Sequence, residues 1–281
     1  MNHKMKISRV PSQIALYTIL IVSALVIAFP YYWMVITTLK PSDQVYTSDI
    51  QLIPKEISLE SYRVALSDKQ LPIGRFFVNS VIIAVGSTCI TVVTATLAAY
   101  PLARRHVPGG KIAYFLIVAT MMVPGEVVLI GIFMLVNSLK MGNTYQGMIM
   151  PLSVNAVIFL VVYNYVTELP KEMDEAALVD GANIWQILWE VIIPLSRPAI
   201  YSGALLSFLS AWQNFTIPYL VAQNNSMYPL AVGAILTEST LYITMQETLT
   251  VSTILTIPTL LVFILTQRFV FTGITTGAIK G

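Results

Sequence analysis

Six stretches of this chain, residues 14–39, 76–103, 112–139, 144–166, 199–220 and 249–267, are free of Asp, Glu, Lys and Arg, apart from Glu126 in the third. Each is about long enough to cross roughly 30 Å of hydrocarbon as a helix rising about 1.5 Å per residue. Lipid offers no partner to backbone amides, so a spanning segment is either a helix or a strand of a closed barrel. The period-2 alternation that barrel strands require is absent. The expectation is an all-α polytopic membrane protein with about six transmembrane helices, a single transmembrane domain over residues 1–281. Composition agrees, because 56% hydrophobic and 11% charged residues cannot be folded into one aqueous globule.

The first stretch follows Lys4, Lys6 and Arg9, as in a secretory leader, but it runs on through Pro30, Tyr31, Tyr32 and Trp33. That is well beyond the core of about 7 to 15 residues of a cleaved signal, so an uncleaved first helix is expected. Short loops rich in Lys and Arg stay on the cytoplasmic side. The N-terminal tail and the second-to-third connection, with Arg104, Arg105 and Lys111, are the basic ones, whereas 221–248 holds no basic residue. Both termini are therefore expected inside. Residues 40–74, with Pro41, Pro54 and Pro72, are expected as an external cap with a short helix near 58–66. Residues 272–281 are expected as a glycine-rich cytoplasmic tail.

Loop 167–198 falls inside by alternation and reads as two short helices. Pro170 suits a first helical position, Glu172, Asp174 and Glu175 suit the positive N-terminal end, and Gly181 after Asp180 supplies a stop that tolerates positive φ. Asn183 with Gln186 then forms a capping box. Ile184, Ile187, Leu188 and Val191 make one apolar stripe before Pro194. A DNA-binding helix-turn-helix has this outline, but six acids against Lys171 and Arg197 disfavour phosphate, so no nucleic-acid partner is expected. Two readings remain: a packing connector, or a docking element that seats an apolar stripe in a partner's groove, with Ala176, Ala177 and Gly181 allowing close approach.

Glu175-Ala176-Ala177, Gly181, Val191 and Ile193-Pro194 together resemble the EAA loop of ATP-binding-cassette importer permeases, with Val191 and Ile193 standing where the family has Ile and Leu. The resemblance covers nearly the whole chain: Leu39-Lys40-Pro41, Asn79-Ser80, Ala99-Tyr100-Pro101-Leu102-Ala103, Pro124, Asn143-Thr144-Tyr145, Trp212-Gln213-Asn214-Phe215, Pro258, Gln267-Arg268 and the terminal Gly277-Ala278-Ile279-Lys280-Gly281. It is similar to the smaller permease of the maltose and multiple-sugar branch, although Gln213 replaces the Asn usual beside that Trp. The resemblance implies a cytoplasmic coupling-helix loop in which Glu175, Ala176, Ala177, Asp180, Gly181, Ile193 and Pro194 meet an ATPase. It further implies a second permease, two ATP-binding-cassette ATPases, an extracytoplasmic solute-binding protein, a sugar substrate and a bacterial cell membrane. Gly277, Lys280 and Gly281 of the tail are a second expected ATPase contact.

No G-x-x-x-x-G-K-[ST] phosphate loop occurs in the sequence. ATP and magnesium are expected in the partner ATPases, and this chain is expected to hold no cofactor, no metal and no catalytic residue. Glu126, after Pro124-Gly125, is the one intramembrane acid and is expected to face protein or a water-filled cavity. With Trp212, Gln213 and Asn214 it forms a candidate substrate pathway. The competing readings are that Glu126 ties broken helices together while Trp212 packs, and that Glu126 is the ion or proton site of an ion-coupled secondary transporter or channel.

Overall fold

The computed structural model describes residues 9–45, 47, 51–67, 72–105, 107–239 and 244–278, and among these every regular element is helical. His3, His106, Lys280 and Gly281 lie outside the described residues. Three helices are individually long and apolar enough to cross a membrane, and three bent pairs raise the number of candidate spans to as many as six. The chain divides into two units, Met1–Asp68 with Thr237–Ile254 and Lys69–Leu236 with Leu255–Gly281.

The first unit contains α1 (Arg9–Thr38) and the cap helix α2 (Glu60–Ser67). Every side chain from residue 13 to 32 is exposed, the condition of a helix apolar all round that lipid tails cover. Burial begins at Thr37, Thr38 and Lys40, where the last carbonyls of a helix need outside donors. The cap supplies them: Ser61 Oγ donates to Thr38 O at 2.7 Å and Ser58 N–H to Leu39 O at 2.8 Å. Gln246, in the first turns of the last helix, donates from Nε2 to Lys40 O at 2.6 Å and to Thr37 O at 3.3 Å. Lys40 Nζ donates to Gln51 O at 2.7 Å and lies 4.6 Å from the Trp33 ring centroid, so its buried ammonium is both hydrogen-bonded and stacked.

The second unit is organised on α3 (Ile73–Arg104). Its buried face carries Ser80, Ala84, Ser87, Thr91, Ala95 and Ala99 at spacings of three and four, and such small residues let neighbouring backbones approach closely. Two helices pack along it, α7 (Ala156–Glu168) and α10 (Arg197–Trp212). The other elements are α4 (Gly110–Ala119), α5 (Gly125–Ser138) and α6 (Tyr145–Leu152), the loop helices α8 (Glu172–Val179) and α9 (Ile184–Leu195), α11 (Thr216–Val221) and α12 (Leu230–Ser239). The last helix, α13 (Met245–Ala278), enters both units.

Two cores sit at the two ends of α3. Ile83, Val136, Met148, Ile217 and Val221 join α3 to α5, α6 and α11. Ala95, Ala99, Tyr100, Ile158, Val162, Val166, Ile187, Leu188 and Ile192 join it to α7 and α9. Asn79 pins the first end, donating from Nδ2 to Ser226 O and Tyr228 O at 3.0 and 2.9 Å and accepting from Tyr145 Oη at 2.7 Å. The 143–145 and 222–229 connections thus meet the start of α3, and Arg104 at its far end meets Pro170 and Asp174 of the loop.

The third, fourth and fifth stretches are each bent or broken. The third breaks after a 3-10 turn at Thr120–Met122, with Pro124 at the break and a bend of 106° between its halves. The fourth bends by 48°, and Asn155 Oδ1 caps the second half by accepting from the amides of Val157 and Ile158. The fifth is interrupted at residues 213–215, where Asn214 Oδ1 accepts from Ile217 N–H at 3.0 Å. In 221–248, expected as a loop, stands α12, whose Leu230 and Val232 are fully buried. α13 continues beyond the apolar stretch to Ala278, so the described part of the expected tail, including Gly277, is helical.

Candidate functional site

In loop 167–198 the first helix starts at Glu172, with Lys171 as its cap. Pro170 therefore precedes the helix and does not occupy its first turn. Its carbonyl instead accepts from Arg104 Nη2 at 3.1 Å. Glu172, Asp174 and Glu175 occupy the first turn, where unpaired amides favour negative charge. At the other end Gly181 has φ +84°, Ala182 N–H donates to Ala177 O at 2.9 Å and Gly181 N–H to Leu178 O at 3.0 Å. This is a Schellman closure, and a side chain at Gly181 would strain it.

The capping box is present: Asn183 Oδ1 accepts from Gln186 N–H at 3.0 Å, and Gln186 Oε1 from Asn183 N–H at 2.8 Å. Pro194 does not end the second helix, which continues to Leu195. Residues Ile187–Ile192 widen into a π-helical turn just before it. In a regular helix the Pro194 ring would press on the carbonyl of Glu190, and the wider turn relieves that contact. A 77° bend at Ser196 then separates α9 from α10.

The apolar stripe is turned the other way from the expectation. Ile187, Leu188 and Ile192 are buried in the core against α3 and α7, and Ala177, Val191 and Ile193 pack on the same core. Only Ile184 of that stripe is open. A second apolar surface stands outward: Val179 is 88% exposed, Trp185 63% and Ile184 55%, with Leu178 beside them. Glu175, Ala176, Asp180 and Gly181 are exposed as well, and Pro194 is half-buried. Of the seven residues expected to meet a partner, four are thus open, while Ala177 and Ile193 help hold the loop to its own unit.

The pathway residues do not form one polar patch. Trp212 is 1% exposed, stacks on Phe208 with centroids 5.6 Å apart, meets Phe77 edge-on at 5.8 Å, and donates from Nε1 to Leu255 O at 2.9 Å. Its ring is committed to packing, with no open aromatic face. Gln213 is exposed and Asn214 half-buried. Glu126 is exposed in the first turn of α5, beyond the break, so its depth does not follow from a straight count along one helix. α5 and α11 pack together, and their connections meet where Asn143 N–H donates to Val221 O at 2.9 Å; Glu126 and Asn214 stand at their starting ends. Beside Asn214, Phe215 and Tyr219 stack with centroids 4.9 Å apart, an aromatic pair one turn apart that the sequence reading missed. Among the described residues no three His, Cys, Asp or Glu side chains come together as a metal site.

Residues 90–272 match the family described as binding-protein-dependent transport system inner membrane component. This chain belongs to that family. Its members are permease subunits of transporters, and membership supersedes the ion-coupled alternative for Glu126. The permease is 32% identical over 268 residues to the trehalose/maltose transport system permease protein MalG of Thermococcus litoralis, covering 93% of this chain and 94% of that one. It is 28% identical over 261 residues to the arabinooligosaccharides transport system permease protein AraQ of Halalkalibacterium halodurans, covering 92% and 93%. Its fold matches a chain of a bacterial ABC transporter involved in the import of the acidic polysaccharide alginate, with a TM-score of 0.83 at 23% identity over 96% of this chain and all of that one. The permease is an all-α, multi-pass membrane protein.

Proposed function

We propose that this permease forms one half of the membrane pathway of an ATP-driven importer for a sugar or oligosaccharide, and that loop 167–198 couples it to an ATPase subunit. The outward surface of Leu178, Val179, Ile184 and Trp185 carries this reading. These apolar side chains stand on an acidic loop at the end of α3 marked by Arg104 and Arg105. An open apolar surface beyond the basic flank of a membrane span suits a protein groove. Glu175, Ala176, Asp180 and Gly181 border that surface, Ala177, Ile193 and Pro194 support it from behind, and Gly277, Lys280 and Gly281 make a second contact. Both termini are then cytoplasmic.

The partners are a second permease, two ATPase subunits and an extracytoplasmic solute-binding protein. ATP and magnesium are used in the ATPases, and this chain performs no chemistry. It supplies a bistable membrane body that alternates between outward and inward openings. A carbohydrate cargo is supported by the cargoes for which the two relatives are named, trehalose or maltose and arabinooligosaccharides. Glu126, Gln213 and Asn214 line the pathway in this reading, with Phe215 and Tyr219 supplying the aromatic faces that Trp212 does not.

Gly181→Trp tests the coupling. The position requires φ +84°, so the variant disturbs the loop turn without altering a spanning helix. Substrate-stimulated ATP hydrolysis of the purified complex is expected to be lost while the permease still inserts. Full stimulation in this variant overturns the assignment.

A further inference from the structure

Arg104 is the last residue of α3 and Asp174 lies in the first turn of α8. Arg104 Nε stands 3.7 Å from Asp174 Oδ2, and the two side chains are only 1% and 11% exposed. Nη2 is used by Pro170 O, while Nε and Nη1 of Arg104 and Oδ1 of Asp174 have no hydrogen-bond partner. A closed charge-assisted pair sits at about 2.7 to 2.9 Å. This buried pair is therefore slack, with two donors and one acceptor unspent, and a small rotation of α8 would close it.

We propose that Arg104 is the positioning residue through which movement of loop 167–198 reaches the membrane helices, the pair with Asp174 tightening as the loop is seated. The proposal rests on the docking reading above. Arg104 holds Pro170, just before α8, and Asp174, within it, and α8 otherwise buries little beyond Ala177. Its own helix packs along α7 and α10, so displacement of Arg104 is passed to the two helices that share the small-residue face of α3. An apolar pair could hold the loop equally well, since buried ion pairs exchange for hydrophobic residues at little or no loss of stability. What an apolar pair lacks is a second, tighter arrangement to switch into.

The test uses the permease assembled with its ATPases and binding protein in liposomes, with three readouts: cross-linking of Val179→Cys to the ATPase, ATP hydrolysis, and solute transported per ATP. Arg104→Met is expected to keep the cross-link and to lower solute per ATP by about tenfold, within the range of coupling between distant sites. The double variant Arg104→Met with Asp174→Leu leaves no unpaired buried charge, so it is expected to assemble and cross-link as wild type yet stay uncoupled. Wild-type solute per ATP in that double variant overturns the positioning role and leaves the pair a packing contact. It also decides the matter if Arg104→Met alone fails to assemble. Failure of Val179→Cys to cross-link in an otherwise wild-type complex overturns the docking reading itself, which keeps the two failures distinct.

Discussion

Trp185 and Ile187 stand two residues apart on opposite faces of one helix, and their truncation separates docking from folding. Trp185 is 63% exposed, and a Trp side chain carries on the order of 200 Å². Covering the exposed part removes roughly 125 Å² from water, about 3 kcal/mol at about 25 cal/mol per Å². Trp185→Ala is thus expected to weaken association of the ATPase with the permease roughly a hundredfold. Its effect on the thermal stability of the isolated permease should be small. Ile187 is fully buried against α3 and α7, so Ile187→Ala should cost about 2 to 5 kcal/mol of fold stability. Titration of purified ATPase onto permease in detergent, alongside thermal unfolding of the permease alone, reads both quantities. Affinity within about twofold of wild type for Trp185→Ala would refute the assignment of the outward face. A permease of unchanged melting temperature with Ile187→Ala would refute the inward one.

Two further outcomes are expected. In a background with the exposed Cys89 replaced by Ser, a cysteine at Asn224 should react with an impermeant thiol reagent in intact cells, and one at Val179 only after permeabilisation; labelling of Val179→Cys from outside would reverse the topology. Glu126→Gln and Asn214→Ala should assemble normally and alter transport, because both residues stand at helix starts beside interrupted backbone, and wild-type transport in both would remove them from the pathway.

Much of the fold was legible because lipid imposes one demand on every spanning segment, and 76–103 and 249–267 lie within single helices, as that demand requires. What failed to show in the sequence were events settled by local backbone partners. Pro124 announced a break but not a bend of 106°. The interruption at residues 213–215 combines Pro218, which has no N–H to donate to the Asn214 carbonyl, with Asn214 Oδ1 capping the next turn. α12 has only ten residues, too few to register as a span, and its place is set by Phe76 and Ser80 of a helix some 150 positions earlier. The Asn79-Ser80 pair was legible as part of a resemblance, whereas its work is to hold the backbone at Ser226, Tyr228 and Leu230. The small-residue run along α3 was readable at its spacing of three and four, and was the missed signal for which face α7 and α10 would cover.

The loop shows why a periodic stripe locates a helix more surely than it locates a partner. Spacing at i, i+3, i+4 and i+7 states that one face of α9 is covered, and the core around Ile187, Leu188 and Ile192 covers it from within the same unit. The proposed docking surface is then built from residues outside that inward face, Val179 and Trp185, with Ile184 at the stripe's open end. Such a division suits a coupling element, because a helix whose periodic face bound the partner would have nothing left to fasten it to the membrane body. Here the inward face is fastened by close packing, which resists deformation, and the acidic first turn of α8 by an ion pair that is not yet closed. Force applied at Val179 and Trp185 therefore meets a stiff attachment through α9 and a yielding one through Asp174, so the loop should pivot about its α9 core and load Arg104 first.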